Sequence, residues 1–445
     1  MKIVLIRPAF GEIKGRRYKS LAMMEPLNFA VLAGLTPSNH QIVFFDERIE
    51  DLKIDGDYDL AAISVDTFSA KRAYQISEEF KKRKIPVILG GFHPTLVPEE
   101  AALFSDSVAI GEADAIWPQI LADAQNGTLK KFYHSENLSS QFSIKCDRSI
   151  FTGKPYIPMA LVSFNQGCIH NCDFCSIRQF YQGRIRQRRV SEVVSEISTL
   201  NRKSIFFVDD NIVSQKDVAK QLFREIKGAN LKWAAQASLS IVEDDELLGL
   251  AVESGCFALI IGLESLNPMN LEKMNKGWAK RFNGYSGALD KLRKNGILVY
   301  GTFVFGYDHD DLDCFERTAD FAIEKKLFMA NFNVLQPFPG TPLYTNLKRE
   351  NRLVFEKWWL DPGYRWNTAA FFPLKLTPQQ LSDGVMSARK KFNSISGIFR
   401  RGLDFQANFS DFFRAWIYLT GNIVSRHDIH RKSNLKLGLG AQTLK

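Results

Sequence analysis

Three cysteines, Cys168, Cys172 and Cys175, fall within eight consecutive residues, Cys-Ile-His-Asn-Cys-Asp-Phe-Cys, and make up half of the six in the chain. The spacing, Cys-x3-Cys-x2-Cys, offers three thiolates from one short loop and no fourth. A structural zinc site takes four closed ligands, often as two Cys-x2-Cys pairs. A disulfide framework needs a cysteine density that this chain lacks. A [4Fe–4S] cluster held by three thiolates leaves one iron open to a ligand that is not protein. An open iron beside a bound molecule is a place for a reaction, so the loop points to an enzyme with these cysteines as its metal ligands. Cys146, Cys256 and Cys314 stand alone, and a single cluster is expected.

The elements that must position this loop alternate regularly. Residues 160–164 read as a strand feeding it. Val190, Val193, Val194, Ile197 and Leu200 then mark one face of a helix. Further strands are expected at 205–208, 233–237, 257–262, 298–305 and 331–336. They end in Asp209-Asp210-Asn211, Gln236, Leu263-Glu264-Ser265, Gly306-Tyr307-Asp308 and a Pro337–Pro342 turn. Six β/α units with polar groups gathered at the carboxyl ends of the strands predict a partial barrel over 159–370, with its site on that face.

The preceding segment, 1–125, also alternates. Strands at 3–6, 41–46, 60–65, 86–89 and 107–110, with a helix at 26–35 and another reaching residue 84, predict a doubly wound parallel sheet, a Rossmann-like domain. Ligands bind beyond the carboxyl ends of such strands. Those ends carry Ser64-Val-Asp-Thr67, Gly90-Gly91-Phe-His93-Pro-Thr95 and Gly111-Glu112, and paired glycines let backbone approach a large ligand closely. Residues 126–158 are polar and turn-rich and read as a linker containing Cys146. Residues 371–445 read as a small helical extension, with a helix starting at Thr377-Pro378.

At 445 residues, 45% hydrophobic and 24% charged, the composition is that of an ordinary soluble protein of two or three domains. The N-terminal apolar run is too short for a signal peptide, and no run of about 18 apolar residues occurs to span a membrane. Reduced thiols on iron imply the cytoplasm. The net charge of +9 is concentrated late. Arg389, Lys390, Lys391, Arg400, Arg401, Arg414, Arg426, Arg431, Lys432, Lys436 and Lys445 face only Asp404, Asp411 and Asp428. Within this stretch, residues 409–424 are aromatic-rich and amphipathic. Packing against the barrel is the preferred reading, and peripheral contact with a membrane surface is the alternative.

The cysteine loop, with Phe174 just before its last cysteine, resembles that of the radical S-adenosylmethionine (SAM) enzymes. The glycine-rich strand ends ahead of it resemble the branch that carries a cobalamin-binding domain: the anaerobic tetrapyrrole cyclases, hopanoid methylases and related class B methyltransferases. The resemblance spans residues 1–370. It implies that the open iron chelates SAM and that reductive cleavage yields a 5′-deoxyadenosyl radical. It further implies SAM contacts from Phe174, Asp209, Asp210, Gln236, Glu264, Ser265 and Gly301. One of Arg184, Arg186, Arg188 and Arg189 would neutralise the SAM carboxylate. Cobalamin would lie among Ser64, Thr67, Gly90, Gly91, His93, Gly111 and Glu112. Two departures stand out. Asp209-Asp210-Asn211 replaces the family's Gly-Gly-Glu, and the loop after the first strand, Pro8-Ala-Phe-Gly11, lacks the cobalt-ligating histidine of methionine-synthase-type domains. His93 is expected as a turn residue near the cofactor or core, not as a cobalt ligand.

Three functions follow. The first is cobalamin-dependent methylation of an unactivated carbon or a phosphinate, in a small-molecule, lipid or tetrapyrrole-like substrate, with a flavodoxin- or ferredoxin-type electron donor. The second is a non-methylating radical reaction (cyclisation, oxidation, dehydration or rearrangement), with the cobalamin domain vestigial. The third, an iron–sulfur nucleic-acid-binding protein, rests on the basic balance alone, and the polar strand ends argue against it.

Overall fold

The computed structural model describes residues 1–20, 23–135, 139–432 and 434–440; Lys445 of the basic tail lies outside them. The chain opens with β1 (Lys2–Arg7), α1 (Leu27–Leu35), β2 (Gln41–Asp46), β3 (Leu60–Ser64), α2 (Ala70–Lys82) and β4 (Val87–Gly90). It continues with α3 (Pro98–Phe104), β5 (Ser107–Ile110), α4 (Ala113–Gln125) and β6 (Phe132–His134). The six strands form one parallel sheet in the order β2-β1-β3-β4-β5-β6. Ile3, Val4, Leu5 and Ile6 are all fully buried, as a parallel strand covered by helices on both faces requires. The order reverses between β1 and β3, which places the natural ligand crevice at the carboxyl ends of β1, β3, β4 and β5.

β6 corrects the expectation of a plain linker over 126–158. Only three residues long, it is too short to show a period. It is held by Tyr133, whose hydroxyl donates to Asp123 on α4 at 2.7 Å.

The second sheet consists of β7 (Ala160–Val162), β8 (Ser204–Phe207), β9 (Lys232–Ala237), β10 (Cys256–Glu264), β11 (Leu298–Phe305) and β12 (Met329–Val334). The strands are parallel and lie in sequence order. Helices α5 (Val190–Thr199), α6 (Lys216–Ile226), α7 (Asp245–Glu253), α8 (Ser286–Lys294) and α9 (Cys314–Glu324) connect them. Leu259, Ile261, Leu263, Val299, Phe303 and Phe305 enter the core beneath the helices. By the two-residue alternation of strands, Gln236, Gly262, Glu264 and Thr302 therefore face the barrel interior.

Beyond a helix at Pro342–Arg349 come α10 (Pro378–Phe392), α11 (Ile395–Gly402) and α12 (Phe412–Arg431). A reciprocal cap between Thr377 and Gln380 fixes the start of α10. One side of α12 packs Ile417 and Tyr418 against Ala234, Ala258 and Leu298, near the amino ends of their strands. The chain then returns to the first domain, where Lys436–Leu437 pairs antiparallel with Gly11–Ile13. Trp358, Trp359, Tyr364, Leu435 and Leu437 share a core with Tyr74 and Phe80. The segments 159–370 and 371–445 are thus not self-contained, because both complete the hydrophobic core of the N-terminal domain. Among the described residues no helix is long and apolar enough to cross a membrane.

Candidate active site

The cysteine loop leaves the carboxyl end of β7 and is fastened at both ends. Asp209, at the end of β8, accepts the backbone N–H groups of Phe164 at 2.8 Å and Asn165 at 3.0 Å. Asp210 accepts the N–H of Gly167, the residue before Cys168, at 2.8 Å. Farther along, Asp173 accepts the Tyr307 hydroxyl at 2.6 Å, so the loop between Cys172 and Cys175 is tied to the end of β11. Phe174 packs edge-on to the same tyrosine, with ring centroids 6.4 Å apart.

All three thiols are half-buried. Burial pushes Cys172 up to about 12, Cys175 up to about 11, and Cys168 upward. The opposing influences are those an anionic sulfur needs. Backbone N–H groups of Ile177 and Arg178 point at Cys175, that of His170 points at Cys168, and the Lys276 ammonium lies near Cys168 and Cys172. Among the described residues no three His, Cys, Asp or Glu side chains are already gathered as a metal site. A metal bound here would draw the sulfurs together and displace their protons.

The residues expected to contact SAM divide sharply. Asp210 borders the large cavity described below, and burial lifts its carboxyl to about 6. Asp209 is a correction: it is fully enclosed, clamps two backbone N–H groups, and is pushed by burial up to about 8. Ser265 is a second correction. Its hydroxyl accepts from Asn267 and Asn270 within its own turn, on a crevice shared with Asp310 and Cys314. Gly301 is a third, since a Cβ there would lie 2.7 Å from Leu327 on the helix side of the sheet. Gln236 faces inward and donates to the Asp209 carbonyl at 3.4 Å.

Glu264 ends β10 at a ladder irregularity, with φ of 63°, a conformation seldom adopted by side chains of this size. It is held there by Lys276, whose ammonium donates to Glu264 at 2.9 Å and to the Gly262 carbonyl at 2.7 Å. Lys276 was missed in the sequence, where it is one lysine in a polar turn; only the fold brings it to the cysteines. Of the four arginines expected near the SAM carboxylate, two are held by carboxylates and two face solvent. Arg186 bonds Asp114 at 2.8 Å, Arg188 bonds Glu196 at 2.6 Å, and Arg184 and Arg189 are exposed.

Both side chains of the Lys276–Glu264 pair are nearly enclosed. Removing one partner of such a pair strands a buried charge, at a cost of about 3 kcal/mol. Lys276→Met is therefore expected to lower the thermal midpoint by several degrees. The double variant Lys276→Met/Glu264→Gln should recover most of the loss, and a double variant no better than the single would refute the pairing.

A cavity of about 430 Å³ opens between the two sheets. On one wall stand Ser64, Gly90, Gly91, Gly111 and Glu112, with the ion pair Arg7–Asp66 at 2.6 Å. Ser163, Asn165, Gln166, Tyr181 and Asp210 form the other wall, and Leu27, Val31, Ile88, Trp117 and Ile120 line an apolar part. Gly91 and Gly111 adopt φ of 101° and 86°, so each turns the chain where a side chain would be strained. Glu112 sits between the walls, near Asp114, Arg186 and Asp210. Burial, reinforced by Asp114, raises its carboxyl to about 7.

Thr67 and His93 do not border this cavity, which corrects their assignment to the cofactor. Thr67 is buried in a short turn capped by Asp66. His93 is fully enclosed, within 3.1 Å of the Tyr74 hydroxyl and 3.2 Å of Glu100, which also accepts from Trp359. No histidine lines the cavity among the described residues.

Residues 162–322 match the Radical SAM superfamily. The chain is 31% identical to the bacteriochlorophyllide d C-12(1)-methyltransferase of Chlorobaculum tepidum, with 85% of each chain covered. The chain belongs to the radical SAM superfamily. It is 24% identical to the anaerobic magnesium-protoporphyrin IX monomethyl ester cyclase of Rubrivivax gelatinosus, over 88% of this chain and 77% of that one. In fold it resembles the radical S-adenosylmethionine methyltransferase TsrM from Kitasatospora setae, solved with cobalamin and a [4Fe–4S] cluster, at a TM-score of 0.63 and 16% identity over 88% and 81% of the two chains. This radical SAM enzyme therefore has the two-domain architecture of the cobalamin-dependent members. Membership implies a [4Fe–4S] cluster and SAM as cofactors.

Proposed function

We propose that the chain is a cobalamin-dependent radical SAM methyltransferase acting on an unactivated carbon of a large, mostly apolar substrate, tetrapyrrole- or lipid-like in character. One observation carries this reading. The cavity at the switch point of the first sheet shares a wall with the cysteine loop, because Asp210 borders the cavity and holds the N–H of Gly167, next to Cys168. The cavity fits a corrin in kind: glycine backbone at Gly90, Gly91 and Gly111 permits close approach, and an apolar part lies beside it. Without a lining histidine, the protein offers cobalt no imidazole there.

Bound in these places, the cluster supplies the electron that cleaves SAM to a 5′-deoxyadenosyl radical, and cobalamin supplies the methyl group. The chain's own residues supply position and charge. Cys168, Cys172 and Cys175 would hold three irons of the cluster. Lys276 and Glu264 present opposite charges beside Cys172, matching the carboxylate and ammonium of SAM. Gln236 and Thr302 face the barrel interior, where substrate would lie. Glu112, half-protonated near neutrality, can hold or release a proton between the two cofactor positions. A low-potential donor of the flavodoxin or ferredoxin type would deliver the electron, as suits a cytoplasmic enzyme.

A second reading, a non-methylating radical reaction, is favoured by the similarity to the ester cyclase. Anaerobic reconstitution with iron, sulfide and hydroxocobalamin, followed by reduction with SAM present, separates the two. Retained corrin absorbance with 5′-deoxyadenosine and S-adenosylhomocysteine as products supports methylation. Formation of 5′-deoxyadenosine by a protein that retains no cobalamin would leave only the second reading.

A further inference from the structure

Helix α12 is apolar on two sides. The side bearing Ile417 and Tyr418 packs into the barrel. The other, Phe412, Trp416, Leu419 and Ile423, recurs at helical spacing and faces solvent, with Phe412 87% exposed. A helix apolar on both sides is ordinarily covered on both.

Helix α11 is hydrogen-bonded to it. Tyr418 donates to the Ile398 carbonyl at 2.6 Å, Arg401 to Asn422 at 2.9 Å, and Arg426 to the Asn393 carbonyl at 2.8 Å. Ile395 and Phe399 of α11 and Phe405 beyond it extend the patch, exposed at 73%, 66% and 77%. Soluble monomers rarely leave a patch of this kind uncovered.

From Arg389 onward each aspartate is paired with a cation: Asp404 with Arg293, Asp411 with Arg414 and Asp428 with Lys432. Exposed Lys390, Arg400 and Arg426 have no carboxylate partner among the described residues. A second copy docked symmetrically would bring this cationic rim against itself. A surface of anionic phosphates would meet it with opposite charge.

We propose that α11 and α12 form a docking face for an anionic lipid bilayer. The aromatic and aliphatic side chains enter the headgroup–acyl boundary, and the rim cations pair with lipid phosphates. The face adjoins the amino ends of the barrel strands, whereas the cysteine loop leaves a carboxyl end. Docking therefore leaves the reaction face open, and it is independent of which reaction occurs there.

The test is co-sedimentation of the full chain with phosphatidylcholine vesicles, with and without phosphatidylglycerol. Binding is expected to the anionic vesicles and to weaken strongly when phosphatidylglycerol is omitted. Phe399→Glu/Trp416→Glu should weaken it at least about tenfold, with the thermal midpoint and SAM cleavage unchanged. Phe372→Glu, an exposed apolar position outside these helices, should bind like the wild type. A wild-type protein that ignores anionic vesicles, or a double variant that binds them equally well, overturns the proposal. So does a wild-type dimer in sedimentation equilibrium that the double variant dissolves, if vesicles are not bound.

Discussion

Cys172→Ala is expected to give a folded protein that makes no measurable 5′-deoxyadenosine from SAM under reducing conditions, a loss of at least about a thousandfold. The loop offers three thiols, and Cys146, Cys256 and Cys314 lie in other segments. With one removed, a cluster keeps two protein ligands and two open irons, and it is neither retained nor positioned. The structural cost is small. Cys172 is half-buried, its carbonyl accepts the Cys175 N–H whatever the side chain, and the loop's side-chain fastenings run through Asp173, Asp209 and Asp210. Cys256→Ala and Cys314→Ala serve as controls. Both thiols are buried, Cys256 in the core and Cys314 between the core and the crevice at Asp310, and their loss should leave iron content and SAM cleavage near wild type at about 1 kcal/mol or less of stability each. Iron content, 5′-deoxyadenosine yield and thermal midpoint, measured together, decide the matter. SAM cleavage at a tenth of the wild-type rate by Cys172→Ala would remove this cysteine from the cluster.

The two sheets were legible because their strands are strongly periodic and end in recognisable turns. The runs expected at 41–46, 107–110 and 298–305 coincide with β2, β5 and β11, since each is mostly apolar and rich in β-branched or aromatic residues, and the last two stop at a glycine. What escaped detection depends on partners distant in sequence. β6 becomes a strand only because a sheet edge is available to it. The N-terminal domain closes its core with Trp358 and Trp359, more than two hundred residues downstream.

The same distinction runs through the site. The cysteine spacing is local and could be read directly. Asp209 and Asp210 are adjacent acids that the sequence cannot rank; both accept backbone N–H groups of the segment after β7, and only Asp210 also borders the cavity. Gly301 misled because a glycine in a strand signals close approach without saying from which face. Lys276 and the Tyr307–Asp173 bond carried no signal, as both arise from barrel closure. The C-terminal helix was expected either to pack on the barrel or to face a membrane, and its two apolar sides leave room for both.

Gly90→Leu should separate the two cofactors: cobalamin retention is expected to fall about tenfold to a hundredfold while SAM cleavage stays within about threefold of wild type. Gly90 borders the cavity at the end of β4 without a left-handed φ. A Cβ there would lie 3.4 Å from the Ala109 Cβ and 3.8 Å from its carbonyl oxygen, ordinary contacts that leave the backbone in place. The remaining atoms of leucine must then project into the space where backbone would approach the corrin. Intrusion of this size costs about 1–3 kcal/mol in a packed site, and about 2.7 kcal/mol is a hundredfold in affinity. Gly91 is the wrong position for this test. Its φ of 101° and a Cβ only 2.9 Å from the Val65 carbonyl would strain the chain, so a loss there would report folding. The cysteine loop is fastened through Asp209, Asp210 and Asp173, none of which Gly90 touches. If Gly90→Leu takes up hydroxocobalamin as the wild type does, the cavity between the sheets is not its site. If methyl transfer disappears while 5′-deoxyadenosine continues to form, the division of labour between the domains follows directly: methyl delivery from the first sheet, radical formation at the second.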